Sequence, residues 1–289
     1  EATGLGGYDI DNSSKTDMLA LIADFKFDGF SITPFYAYAS IGNEKQLELV
    51  HNNGGLNGAA ALKGRGNANW LGFTSSLTMF DPLTFELGAM WGIRNFNGGV
   101  VNGLDIDAKK QSGWTVEGKL AYKTPYGVPS LTMWYGSGDG KVERSGRYIG
   151  YGMMPAIAGR NAISNTFFNG FNTLDSDANN YHGIQGTWGA KLAWSNISFL
   201  EDLSHEIAVV FANGTNDAAN IPYAKVKANK YMTTKDRMLE FDFNTQYNIY
   251  KNLSLLVELG YVVEGFNDNR WNTDYTNGWR GSMQLMYTF

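Results

Sequence analysis

Charged side chains recur at every second position of several extended-looking runs, and that spacing is the first chemistry the chain offers. Asp24 and Lys26, Glu86 and Arg94, Glu117, Lys119 and Lys123, Lys191, Glu240 and Asp242, Glu258 and Glu264, and Arg280 all fall on the polar side of segments whose other side is apolar. Successive side chains of a strand point to opposite faces, so these residues are expected to share one wet wall. A wall of both signs, lining an aqueous passage, sets up a transverse field that orders polar solutes, and rings of charge tune ion choice. Any one of them also reads as an ordinary wet-face residue with no individual role. Because acids and bases nearly balance, the sequence alone leaves selectivity open.

Catalytic and metal chemistry find little to work with. His51, His182 and His205 are widely spaced, and no Ser-His-Asp geometry or metal spacing can be drawn from them. Asp175, Ser176, Asp177, Ala178, Asn179 and Asn180 place oxygen ligands at a spacing loosely like a calcium loop, but the required Gly and terminal Glu are missing. That stretch reads as a solvated loop. The expectation is a protein that is not an enzyme and has no metal and no cofactor.

Composition narrows the class. The chain has 289 residues, 43% hydrophobic and 14% aromatic, with 35 Gly, 6 Pro and no Cys. No apolar run reaches the roughly 18 residues a spanning helix needs. A net charge of -5, from 28 acids against 23 bases, provides no basic surface for nucleic acid. The absence of Cys argues against a disulfide scaffold and against thiolate metal sites.

The elements that must position the charges are strands. Residues 16–27 alternate, with Leu19, Leu21, Ala23, Phe25 and Phe27 on one side; Asp28-Gly29 turns the chain, and Phe30, Ile32, Pro34, Tyr36 and Tyr38 continue it. Pro34 is a departure, because proline cannot donate to a ladder. Residues 42–69 read as a polar insertion. Leu71, Phe73, Leu77 and Met79 then mark a strand, Asp81-Pro82 a turn, and Leu83 through Ile93 its return. After a loop at 95–111 comes a strand with Trp114, Val116, Leu120 and Tyr122 on one face, a turn at 124–129, and a return through Leu131, Met133 and Tyr135, where Trp134 breaks the polar face. A long insertion at 138–182 precedes Ile184, Trp188, Ala190, Leu192 and Trp194. Residues 197–204 read as a short helical or irregular turn before Ile207, Val209 and Phe211. Leu239 to Ile249 and Leu253 to Val263 form a last hairpin around Lys251-Asn252, leaving one terminal strand. This reading gives eleven strands with short and long connections in alternation.

The terminal strand is the most specific signal. Gly281, Met283, Leu285, Tyr287 and Phe289 alternate with polar positions, and the chain stops on an aromatic. A soluble edge strand rarely ends so, because a greasy edge invites aggregation. Trp91, Trp114 and Trp279 fall beside long loops, while Phe27, Phe30, Tyr122, Trp194, Tyr247, Tyr287 and Phe289 fall beside short turns. Two such girdles suit bilayer interfaces, although aromatics also favour strands generally. Leu19, Phe25, Leu87, Trp188, Phe243, Leu255 and Leu285 are then expected to meet lipid or a neighbouring subunit. Position 240 should be wet and position 243 not.

With repeated hairpins, unequal loops and a Tyr287-Thr288-Phe289 end, the chain resembles Gram-negative outer-membrane porins. Asp24-Phe25-Lys26-Phe27-Asp28-Gly29-Phe30 and Tyr250-Lys251-Asn252-Leu253-Ser254 are most similar to stretches of the homotrimeric porins of sulfate-reducing bacteria. The resemblance implies an all-β, transmembrane, antiparallel up-and-down β-barrel with a water-filled pore for ions and small polar solutes. It also implies a constriction formed by a loop folded into the lumen. Expected partners are outer-membrane lipid and lipopolysaccharide, two further copies in a homotrimer, the barrel-insertion machinery that reads Gly281 to Phe289, and the solutes. An adhesin or receptor acting through its long loops is the alternative.

Eleven strands is an odd number, whereas single-chain bacterial barrels have an even one. The expectation is therefore that residues 1–289 are the carboxyl-terminal portion of a single barrel domain of about 16 strands. Residues 1–15 would then be the tail of the loop that narrows the pore. A barrel of about twelve strands with one weak segment miscounted is the rival.

Overall fold

The computed structural model describes residues 16–41, 66–96, 99–101, 104–106, 109–141, 152–155, 163–168, 184–219, 232–266 and 277–289. The readings of residues 1–15, of His51 and His182, and of the oxygen-rich stretch at 175–180 lie outside them. The described chain is all-β: β1 (Thr16–Ile22), β2 (Phe25–Phe27), β3 (Phe30–Ile41), β4 (Gly66–Leu77), β5 (Leu83–Phe96), β6 (Gly99–Val101), β7 (Leu104–Ile106), β8 (Lys109–Tyr122), β9 (Val128–Gly136), β10 (Thr187–Leu200), β11 (Leu203–Gly214), β12 (Arg237–Tyr250), β13 (Leu253–Gly265) and β14 (Gly278–Tyr287). β6 and β7 pair only with each other. The rest make a 12-stranded antiparallel up-and-down sheet in the order β1-β3-β4-β5-β8-β9-β10-β11-β12-β13-β14, with β2 also on β3. β1 and β14 are its edges and do not pair with each other among the described residues.

Local chemistry explains where the observed elements differ from those read off the sequence. The expected strand at 16–27 is split into β1 and β2 with no change of register, Ile22 facing Phe35 and Phe25 facing Ile32. The gap faces Pro34: Ala23 N donates to Pro34 O at 3.1 Å, and proline has no N–H with which to return the bond. β4 begins at Gly66, inside the stretch read as an insertion, because Gly66, Asn67, Ala68 and Asn69 offer no bulky apolar face to the eye. Met79 is in the turn after it, not in the strand. The loop read at 95–111 contains the ends of β5 and β8 and the β6–β7 ribbon. The turn read at 124–129 ends by Gly127, and Val128 already pairs with Ser195. Residues 197–204 are not helical. β10 runs to Leu200, and β11 starts at Leu203. Two bulges, the first with Asn196 at positive φ, shift the alternation before the turn at 201–202, where Asp202 is also at positive φ, and hid the hairpin.

The two faces of the sheet are opposite in character. One carries large apolar side chains that are exposed, among them Leu87, Trp91, Trp114, Met133, Trp188, Phe241, Phe243, Leu192 at 62% and Met283 at 74%. The other buries many of its side chains, polar ones included. Its apolar part has two clusters: Ala37, Ala39, Ala68 and Trp70, and a larger one of Trp134, Ile163, Phe167, Phe168, Ile184, Val210, Met232, Met238, Val262 and Phe266 among others. Ile184, expected on the outer face of a strand, instead precedes β10 and packs in the larger cluster. Trp134 packs there too, which is why it broke the polar pattern.

Candidate functional site

The inner face is covered by two pieces of the long connection between β9 and β10, and these pieces make the site. The first, residues 152–155, lies over β4, β5 and β8. Trp70 Nε1 donates to Pro155 O at 2.7 Å, Gln111 Nε2 to Met153 O at 3.1 Å, and Ser137 Oγ to Gly152 O at 2.7 Å. Arg94, itself buried, reaches Gln111 Oε1 through its guanidinium. Gly113 matters here, since a Cβ at that position would run into the backbone of Met153 and Met154.

The second piece, residues 163–168, is held by carboxylates projecting from β12. Glu240 Oε2 accepts from Ser164 Oγ at 2.7 Å and from Phe167 N at 2.9 Å, and Oε1 accepts from Thr166 N. Asp242 accepts from Asn165 N at 3.3 Å on both oxygens. Asn165 Nδ2 donates to Asn244 Oδ1 at 2.6 Å and to Leu259 O at 2.8 Å. Beside this pair Gly260 leaves the gap that Thr166 and Asn165 occupy. On the other side Phe168 meets Trp134 edge-on, ring centres 5.3 Å apart, and Trp134 Nε1 donates to Thr187 Oγ1 at 3.1 Å. The piece is fixed by hydrogen bonds on one flank and aromatic packing on the other.

The charged residues singled out by alternation fall into two groups. Arg94, Glu240, Asp242 and Glu258 are on the inner face as alternation requires, but only 2%, 0%, 5% and 4% exposed. Position 240 is therefore not the water-exposed one that alternation suggested; the inner segment covers it. Glu258 accepts from Ser282 Oγ at 3.0 Å. The second group stays open or half-open: Glu86 with Lys119 at 3.9 Å and Glu117 nearer the short turns, and Glu206 with Lys191 at 3.2 Å, Lys191 itself lying towards the long-loop end of β10. Glu206 also accepts from Asn244 at 3.4 Å. Glu264 and Arg280 are half-buried towards the long-loop end of β13 and β14. Asp24 accepts from Thr33 Oγ1 at 2.8 Å, and Asp24, Lys26 and Lys123 are exposed, Lys123 just past β8.

Sequence reasoning missed Trp70, Gln111, Ser137, Ser164, Asn165 and Thr166 because none belongs to a periodic charged pattern. Trp134 was the one available signal, a large apolar residue out of phase with its strand. Residues 152–155 and 163–168 are the pieces that cover the inner face of the sheet, while the expectation placed on residues 1–15 lies outside the described residues. His205 lies near the turn at 201–202, with Nδ1 2.9 Å from Thr245 Oγ1 and its ring stacked on Phe243. Among the described residues no group of His, Cys, Asp and Glu is arranged to hold a metal ion.

No known protein family matches the sequence, and no curated protein does. Among solved structures the chain is similar to Pseudomonas aeruginosa OccK11 (OpdR), at 13% identity and a TM-score of 0.46, over 95% of this chain and 58% of that one. The chain thus spans less than two thirds of that protein's length.

Proposed function

We propose that the chain forms wall of an outer-membrane β-barrel and acts as a porin, a water-filled channel for passive diffusion of ions and small polar solutes. The inversion of burial carries this reading. Leu192, Trp114 and Met283 are exposed on one face while Glu240, Asp242 and Arg94 are buried on the other. A continuous apolar surface of this extent is what a bilayer covers and water does not. From Trp114 to Tyr122 along β8 is about 27 Å, or roughly 19 Å across a bilayer for a strand tilted about 45°, of the order of the ~25 Å apolar band of such barrels. Among the described residues no helix is long and apolar enough to cross a membrane.

A membrane-spanning sheet must close, because no water satisfies an edge inside lipid. The 12 strands of the sheet, less β2, leave eleven along the path, so ten antiparallel steps make β1 and β14 run parallel. An antiparallel closure therefore needs an odd number of further strands between them, in keeping with one barrel domain of about 16 strands. The segments 152–155 and 163–168 narrow the interior, and the polar inner residues nearer the short turns line the remaining passage. On the outer side of β14, Gly281, Met283, Leu285, Tyr287 and Phe289 present the alternation that the insertion machinery reads. A homotrimer embedded in lipid and lipopolysaccharide completes the proposal.

Reconstitution in planar lipid bilayers tests it. Stepwise openings in potassium chloride are expected. A silent barrel that binds a ligand through its loops would favour the adhesin or receptor reading, and a protein monodisperse without detergent would overturn both.

A further inference from the structure

We infer that Glu240 and Asp242 are positioning residues that set the size of the passage and leave its ion preference alone. The inference rests on the channel reading above. It starts from a conflict: two carboxylates two residues apart, on the face that should be wet, are out of water. A carboxylate loses several kcal/mol on leaving water unless donors replace its hydration. Here three replacement donors to Glu240 come from one inner segment: Ser164 Oγ, Thr166 N and Phe167 N. Asp242 takes Asn165 N. Consecutive backbone N–H groups at 165, 166 and 167 thus converge on one pair of acids, and in return the acids fix where that backbone lies. Gly260 sits under the same contact and lets it close.

A charge in this position contributes little to the field in the lumen. It is wrapped by donors and separated from solute by the segment, and the part of its field that reaches the water of the lumen is screened there within about 8 Å in physiological salt. The segment it holds, by contrast, occupies lumen volume. Ion preference then falls to the half-open charges nearer the short turns, and Glu240 governs what fits.

The test uses the full chain. Glu240→Gln keeps the shape but turns one acceptor into a donor that faces donors, so the segment loosens. Unitary conductance in potassium chloride should rise and larger neutral polyethylene glycols should enter, with the reversal potential in a salt gradient unmoved. A shifted reversal potential at unchanged conductance would make Glu240 a selectivity charge and overturn the inference. A second variant does not depend on conduction. Thr166→Cys with Gly260→Cys replaces the tight contact by a pair of thiols in a chain that has no native cysteine. Disulfide formation should be fast with Glu240 and slow with Glu240→Gln. Oxidation should also return the conductance of the Glu240→Gln triple variant to the wild-type value. Equal crosslinking rates in the two backgrounds would refute the positioning role, whereas a silent wild-type protein with unequal rates would sink only the channel reading.

Discussion

The inner face carries the same residue types in two places and uses them differently. Under the inner segments, Glu240 and Asp242 are dry and satisfied by backbone donors, and Arg94 is dry beside Gln111. Away from those segments, Glu86 pairs with Lys119 and Lys191 with Glu206, and all four keep part of their surface in water. Both sets satisfy the same alternation. What separates them is whether another piece of chain lies on top, a non-local fact that no strand pattern contains. Removing a covered group should therefore cost far more than removing an open one.

The largest effect is expected at the covering piece itself. Phe168 is 1% exposed between Trp134 and Phe167. Phe168→Ala should cost about 3 to 5 kcal/mol, the range for a fully buried aromatic. Urea unfolding in detergent micelles measures it. A loss below about 1 kcal/mol would mean that the segment does not hold the wall.

Next comes the outer face, where the comparison is with lipid. Leu192 is exposed at the middle of β10, and Leu192→Arg should destabilise by about 2 to 4 kcal/mol in bilayers if the face meets hydrocarbon. On a surface that meets water the same change would be neutral. Folding into lipid vesicles from urea distinguishes the two, and a neutral result would break the membrane reading while leaving the sheet intact.

Much of the wall was legible in the sequence because a strand's face is a local property. Eleven alternating runs correspond to the eleven path strands, and Leu87, Trp188 and Phe243 share the exposed apolar face. Boundaries failed where the side chains are small, as at Gly66 to Asn69, or where a bulge changes the phase, as at Asn196. The site was less legible. Alternation put Glu240 on the correct face, but its partners are 73 to 76 residues away in a segment with no periodicity. Pro34 and Trp134, both read as faults in their strands, each marked a real feature: a missing donor and an inward anchor.

Among the open charges the effect should be small. Glu86→Gln removes a pair at 3.9 Å whose two side chains are about half exposed, and such pairs contribute about 0 to 1 kcal/mol. Single-cysteine labelling gives an independent reading of the contrast. A water-soluble maleimide should mark Glu86→Cys and spare both Val210→Cys and Phe243→Cys, the first covered by chain and the second by lipid. Labelling at 210 as fast as at 86 would show that the covered and open positions are alike.

The smallest effect on stability is expected at the end of the chain. Phe289 is fully exposed, its ring 6.0 Å from that of Tyr287, and its backbone lies past the last ladder pair, Tyr287 with Leu253. It buries almost nothing, so deleting it should leave the urea midpoint in micelles unchanged. If the terminal alternation is instead an address read during insertion, the same deletion should lower the amount of folded protein in the outer membrane. The two measurements must part company: full stability in vitro with reduced levels in cells. Equal levels would remove the assembly role, and a shifted midpoint would mean that Phe289 packs against a surface outside the described residues.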